Sequence, residues 1–257
     1  MCDTPAAMRL ADFDYTLPRE LIAQSPPAER AASRLLCVDG TDGALDDLMM
    51  TALPSLLAPG DLLVFNDTRV LKARLFGVKS TGGKVEVLVE RVLDAEHALV
   101  HLRASHPPAP GMILSFGTAT QDRAVNAVKA TMVERRDALF VLRFEDGARV
   151  LDVLEAHGEI PLPPYIDRTP DTLDAIRYQT LFARVPGAVA ASTAGLHFDQ
   201  PLLDALAARG VRHACLTLHI GAGTFQPVRD DDLSKHRMHR EWWSLPQTTV
   251  DAIDATR

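Results

Sequence analysis

The stretch KVEVLVERV, residues 84–92, decides the fold of the middle of this chain. Val85, Val87 and Val89 fall on one face, and Glu86, Leu88 and Glu90 on the other. That two-residue period is the signature of a strand with one buried side. Working outward, HALVHLRA (97–104), GMILSFG (111–117), AVKATMVERRD (127–137) and ALFVLRF (138–144) follow at short spacing, separated by Pro/Gly or charged turns. Upstream, GDLLVFNDTRV (60–70) reads as a buried strand entering a polar turn. Five or six strands without a helical stripe predict a small antiparallel barrel or sandwich.

The texture changes beyond residue 147. ARVLDVLEAHG (148–158) and DTLDAIRYQTLFA (171–183) read as amphipathic helices. DQPLLDALAARG (199–210) carries signals at both ends: Asp199 as N-cap, Pro201 in the first turn, Gly210 as stop. Leu202, Leu203 and Leu206 supply its apolar stripe, and VRHACLTLHI (211–220) follows as a strand. LLCVD and DLLVFN near the N-terminus also read as strands. The expected architecture is therefore an α/β main domain, residues 1–65 and 152–257, with a small antiparallel β-barrel inserted at 66–151.

Bulk properties bound the function. The chain has 257 residues, 47% of them hydrophobic, and a net charge of −7. No apolar run approaches the roughly 20 residues of a membrane helix, and no secretory leader is recognisable. Cys2, Cys37 and Cys215 form no CxxC pair, which suits a reducing cytoplasm. The charge is uneven. Residues 66–149 carry 13 Lys+Arg against 10 Asp+Glu, and the remainder 14 against 24. A polyanionic partner is thus compatible with the chain only through local patches.

Two segments place a histidine beside small, flexible residues: AVAASTAGLHFD (188–199) and LTLHIGAGTFQP (216–227). In an open α/β sheet ligands gather at the carboxyl ends of strands. Ser192, Thr193 and Thr224 offer hydroxyls, and Gly221 and Gly223 allow a close backbone approach. His197 and His219 supply imidazoles, the side-chain type suited to proton transfer at physiological pH, and are the candidates for it. The structural alternative is two glycine turns whose histidines are satisfied by backbone. HRMHREWW (236–243) adds His236, His239 and Glu241, a conceivable metal set, but without HExxH or a cysteine pair. In FNDTRVLKARLFG (65–77), Arg69 and Arg74 are candidate clamps for a carboxylate or phosphate. GEIPLPPYIDR (158–168) is a stiff loop with Tyr165 as its aromatic, a pocket wall or a linker. There is no GxGxxG, Walker A or GxSxG motif.

Together these segments resemble the S-adenosylmethionine:tRNA ribosyltransferase-isomerase family of queuosine biosynthesis. The likeness extends from DFDYTLPRELIAQSPPAERAASRLL through GGKVEVLVER and YQTLFARVPGAVAASTAGLHF to HRMHREWW. The resemblance implies transfer and isomerisation of the ribosyl part of S-adenosylmethionine onto 7-aminomethyl-7-deazaguanine in the tRNA wobble position, giving epoxyqueuosine, adenine and methionine. It implies S-adenosylmethionine as ribosyl donor, no metal, a cytoplasmic monomer and a tRNA partner. Under it, His197 and His219 are the catalytic candidates. Arg69, Arg74, Tyr165, Thr193, Gly195, Gly221, Gly223, Thr224 and His239 are the substrate-binding ones, with the Gly221–Thr224 turn offering backbone N–H groups. Ser192 stands where the family usually has proline. Family members run on beyond the position of Arg257, so an incomplete chain with weak or no turnover is expected. The alternative function is binding of tRNA or S-adenosylmethionine without turnover.

Overall fold

The computed structural model describes residues 8–117, 127–228 and 230–256. Cys2 lies outside them; Cys37 and Cys215 are free thiols. The chain opens with a hairpin, β1 (Arg34–Val38) against β2 (Leu45–Met49), then a single turn of helix, α1 (Leu53–Leu56). Next come β3 (Leu62–Asn66) and β4 (Thr68–Val70). Six strands follow: β5 (Arg74–Lys79), β6 (Lys84–Val92), β7 (His97–Ala104), β8 (Ile113–Phe116), β9 (Val128–Arg136) and β10 (Leu139–Phe144). The remaining elements are α2 (Val150–His157), α3 (Asp174–Arg177), β11 (Val185–Ala188), α4 (Gln200–Ala208), β12 (Arg212–His219), β13 (Trp242–Ser244) and α5 (Gln247–Asp254). Among the described residues no helix is long and apolar enough to cross a membrane.

Strands β5–β10 close into an antiparallel barrel in the order β10-β7-β6-β5-β8-β9. Closure removes the open edges a small sheet would otherwise expose. The alternation in β6 sets its inside: Val85, Val87 and Val89 are buried beside Leu75, Val100, Leu114, Phe116 and Leu142. Each fully buried side chain of this kind is worth roughly 1.5–3 kcal/mol relative to exposure. A turn through Gly82, at φ +86°, joins β5 to β6 and fixes their register. Helix α2 lays Val150, Val153 and Leu154 against the same core.

Outside the barrel, β12 pairs parallel with β3 and antiparallel with β13. α4 covers this sheet through Leu202 and Leu206, which join Phe65 and Phe198 in a second core. Its cap is as the sequence predicts: Asp199 Oδ1 accepts from Leu202 N at 3.0 Å. β4 pairs parallel with β11, so Thr68–Val70 belong to a sheet outside the barrel. The α/β class with an intervening six-stranded barrel is the observed architecture.

Two local features differ from the sequence reading. The 171–183 helix shrinks to the four residues of α3. Asp174 is engaged by Arg168 and by Asp171 N, and Arg30 takes the carbonyls of Ile176 and Gln179. The Gln179 side chain meanwhile hydrogen-bonds both ways with the Val70 backbone, at 3.0 and 2.8 Å. These side-chain bonds replace the helical ladder. The second difference is β11, where the sequence reading assigns no element. Its four residues include Pro186 and Gly187, which conceal a strand signal.

Candidate active site at the turn after strand β12

The site begins at the end of β3. Asn66 Oδ1 accepts from Leu218 N at 3.0 Å and Thr68 N at 3.1 Å, and its amide donates to Leu218 O at 2.8 Å. Asp67 is almost fully buried, accepting from Thr217 Oγ1 at 2.6 Å and Arg184 at 2.7 Å. These bonds turn the chain out of one sheet into the other and set Thr68 beside β12. Thr68 Oγ1 then meets His219 Nδ1 at 2.7 Å. The His219 ring stacks on Trp242 with centroids 4.8 Å apart. Gly187 packs so closely that a Cβ there would overlap the imidazole. Burial pushes the His219 pKa below its ordinary 6.5, with Asp67 acting in the opposite sense.

His219 lines a cavity of about 300 Å³ with Glu90, Arg240, Glu241 and Trp242. Glu90 comes from the barrel, where the pairing of β6 with β7 slips between Val89 and Arg91. Such a bulge re-aims a side chain. Glu90 Oε2 accepts from Ala222 N at 3.1 Å and meets His101 Nε2 at 3.2 Å. Burial opposes its ionisation, but these two bonds, with the charges of His101 and His239, leave its pKa below the ordinary value. Glu241 Oε1 accepts from Gly221 N at 3.1 Å and meets His239 Nε2 at 2.8 Å.

The N–H groups of Gly221 and Ala222 are thus already occupied, by Glu241 and Glu90. These two N–H groups of the Gly221–Thr224 turn are therefore held within the protein, and Thr224 N donates back to Gly221 O at 3.4 Å. The two glycines are needed for another reason. A Cβ on Gly221 would lie 2.8 Å from Glu90 Oε1, and one on Gly223 would overlap His239.

Tyr165, Thr193 and Thr224 meet in one cleft of about 690 Å³, closed by Tyr178, Ile220 and Phe225. The two small-residue segments therefore share a cleft. Their histidines do not: His197 lines a third cavity, where its Nδ1 meets Ser33 Oγ at 2.7 Å. The expectation of one cleft holding both imidazoles is not met, because the 3-10 turn Thr193–His197 carries His197 away towards Arg30. Gly195 is buried against Thr180. Arg69 and Arg74 lie apart from these cavities, at Glu155 (3.5 Å) and Glu86 (3.4 Å). Among the described residues no three His, Cys, Asp or Glu side chains are grouped to hold a metal ion. Glu90 and Thr68 escaped sequence reasoning: one looked like an ordinary outward strand residue, the other like turn polarity.

Residues 10–257 match the family model described as queuosine biosynthesis protein. The chain belongs to this family. It is 58% identical, over 97% of its length, to the S-adenosylmethionine:tRNA ribosyltransferase-isomerase of Azoarcus sp. (strain BH72), and 55% identical to that of Burkholderia lata over 96%. It spans 70% and 68% of those two proteins. A solved S-adenosylmethionine tRNA ribosyltransferase from Thermotoga maritima is 26% identical with a TM-score of 0.39; the match covers 95% of this chain and 65% of that one. Membership of the queuosine family rests on the sequence matches, which run through β6, the Gly221–Phe225 turn and β13 alike.

Proposed function

We propose that this chain transfers the ribosyl moiety of S-adenosylmethionine to 7-aminomethyl-7-deazaguanine in the tRNA wobble position and isomerises it, releasing adenine and methionine and leaving epoxyqueuosine. The observation that carries the proposal is family identity of 58% across 97% of the chain. The reaction needs a base, because the sulfonium acidifies the C5′ protons and one must leave before the ribosyl skeleton rearranges. His219 fits that role, since burial keeps it neutral near pH 7 and Nε2 is free of the Thr68 bond. For Nε2 to carry the lone pair, Thr68 Oγ1 must accept from Nδ1–H. Thr68 is then a positioning residue that selects the tautomer. Tyr165, Thr193 and Thr224 line the larger cleft, which we read as taking part of the substrate while His219 faces the neighbouring cavity. Glu90 and Glu241 hold the turn between this cleft and the base.

Domain limits of 1–65 with 152–257 and of 66–151, across which β4 pairs back onto β11 of the main domain, a cytoplasmic location and a monomeric state complete the proposal. The reading is tested by chromatography of adenine. Release from S-adenosylmethionine is expected with precursor-bearing tRNA and absent with tRNA carrying unmodified guanine. The alternative reading is binding of tRNA or S-adenosylmethionine without turnover. Tight tRNA binding with no adenine release would establish that second reading in place of the first.

A further inference from the structure

In the cavity of about 280 Å³ at His197, arginines outnumber carboxylates. Arg30, Arg168 and Arg177 line it, and Asp174 is the carboxylate among its lining residues. That carboxylate is fully committed to Arg168, through bonds of 2.6 and 2.7 Å. Arg30 instead donates to the carbonyls of Leu196, Ile176 and Gln179, and Arg177 to that of Ala28. Arg177 Nε is buried without an acceptor. Burial lowers the Arg30 pKa, the Arg177 charge lowers it further, and Asp199 acts against both. Asp199 itself is occupied as the α4 cap.

Two half-buried guanidiniums that repel each other, neither of them in an ion pair among the described residues and only Arg30 under the field of Asp199, form an arrangement that a bound anion relieves. The setting sharpens the point, since residues outside 66–149 carry a net charge of −10. The walls indicate what the anion is attached to. Tyr165 is 55% exposed and borders both this cavity and the larger substrate cleft. A small free anion makes no use of an aromatic wall that leads onward to a second cleft; a nucleic-acid strand uses both.

We propose that this cavity binds one nucleotide of single-stranded RNA, with a backbone phosphodiester on Arg177 and Arg30 and the base stacked on Tyr165. The inference rests on the RNA-modifying function proposed above and adds where the strand is gripped. Arg30 also braces three carbonyls, so Arg177 and Tyr165 are the positions to vary.

The experiment measures binding of a precursor-bearing tRNA anticodon stem-loop to the 257-residue chain across a salt series, alongside adenine release. Arg177→Gln is expected to weaken binding by about 10-fold and to reduce the salt slope by about one. Arg177→Lys keeps the slope while losing part of the affinity, because a point charge replaces the fork. Tyr165→Leu weakens binding by about 10-fold with the slope unchanged. Thermal melts of the three variants serve as the folding control. Equal binding by wild type and all three variants, with adenine still released, overturns the cavity assignment and leaves the function intact. Weakened variant binding with no adenine release by wild type keeps the RNA site and removes the catalytic reading. A higher KM for S-adenosylmethionine in Arg177→Gln at unchanged RNA affinity assigns the cavity to the donor's carboxylate and overturns the proposal. No RNA binding by wild type removes both.

Discussion

The imidazole of His219 is half-buried, bonded to Thr68 and stacked on Trp242, whereas that of His197 is exposed and bonded to Ser33. Both follow a small-residue or strand segment, and both offer the same functional group. The surroundings separate them. His219 ends a strand held in register by Asn66, so its ring has a fixed partner on each side. His197 ends a 3-10 turn, where the chain is held by backbone contacts and the ring projects into an arginine-lined cavity. A general base requires a defined tautomer and a shifted proton affinity, and a fixed setting supplies both. A histidine on an open wall is suited to contact rather than proton transfer.

The largest test of this contrast is a pair of substitutions. His219→Ala is expected to slow adenine release by roughly 100-fold or more, and His197→Ala by less than about 3-fold in kcat. Equal losses would erase the distinction, and a reversed pattern would make His197 the base. Next in size, Gly187→Ala forces the His219 ring to move and should lower kcat by about 10-fold, as small displacements of a catalytic group do. Its melting temperature reports whether the ring shift is local.

The pH profile sharpens the same contrast without mutation. Burial lowers the His219 pKa, so its imidazole stays neutral further into acid. The acid limb of kcat should therefore lie below pH 6.5, and a limb above that value would contradict His219 as the base. The stability consequence has the same sign. The unfolded chain protonates this histidine first, so its contribution to stability is lost as pH falls from 6.5 through the folded value. Two smaller effects bracket the site. Glu90→Gln weakens the bonds to His101 and Ala222 N and should cost about 1–2 kcal/mol in urea unfolding. Asp199→Ala, on the His197 side, removes the α4 cap for about 1 kcal/mol. A larger cost there than at Glu90 would mean that the exposed side is the more tightly built.

Much of the barrel was legible because its core positions repeat every second residue, and burial follows that repeat in β6. α4 was legible because its cap, proline and stop are local signals. α3 was not, since several of the bonds that limit it come from Arg30 and Val70, more than 100 residues away in sequence. The site divides in the same way. Histidine, glycine and threonine announce themselves by type and spacing. Glu90 does not: only the bulge, a property of how β6 meets β7, turns it from strand exterior to the Gly221 turn. The N–H groups of that turn looked available because nothing local shows two distant carboxylates occupying them.

The parallel pairing of β3 with β12 joins Leu62 to Arg212 across the whole barrel. That separation bears on the order of folding. Closing so long a disordered loop is entropically costly before any contact forms, and non-local parallel pairing is slow for that reason. The barrel's hairpins are local, and once they form, the effective loop between Asn66 and Arg212 becomes much shorter. Folding that starts in the barrel therefore brings the strands that carry Asn66 and His219 together late. Destabilising barrel valines such as Val87 should slow refolding, whereas weakening the β3–β12 contact should mainly speed unfolding.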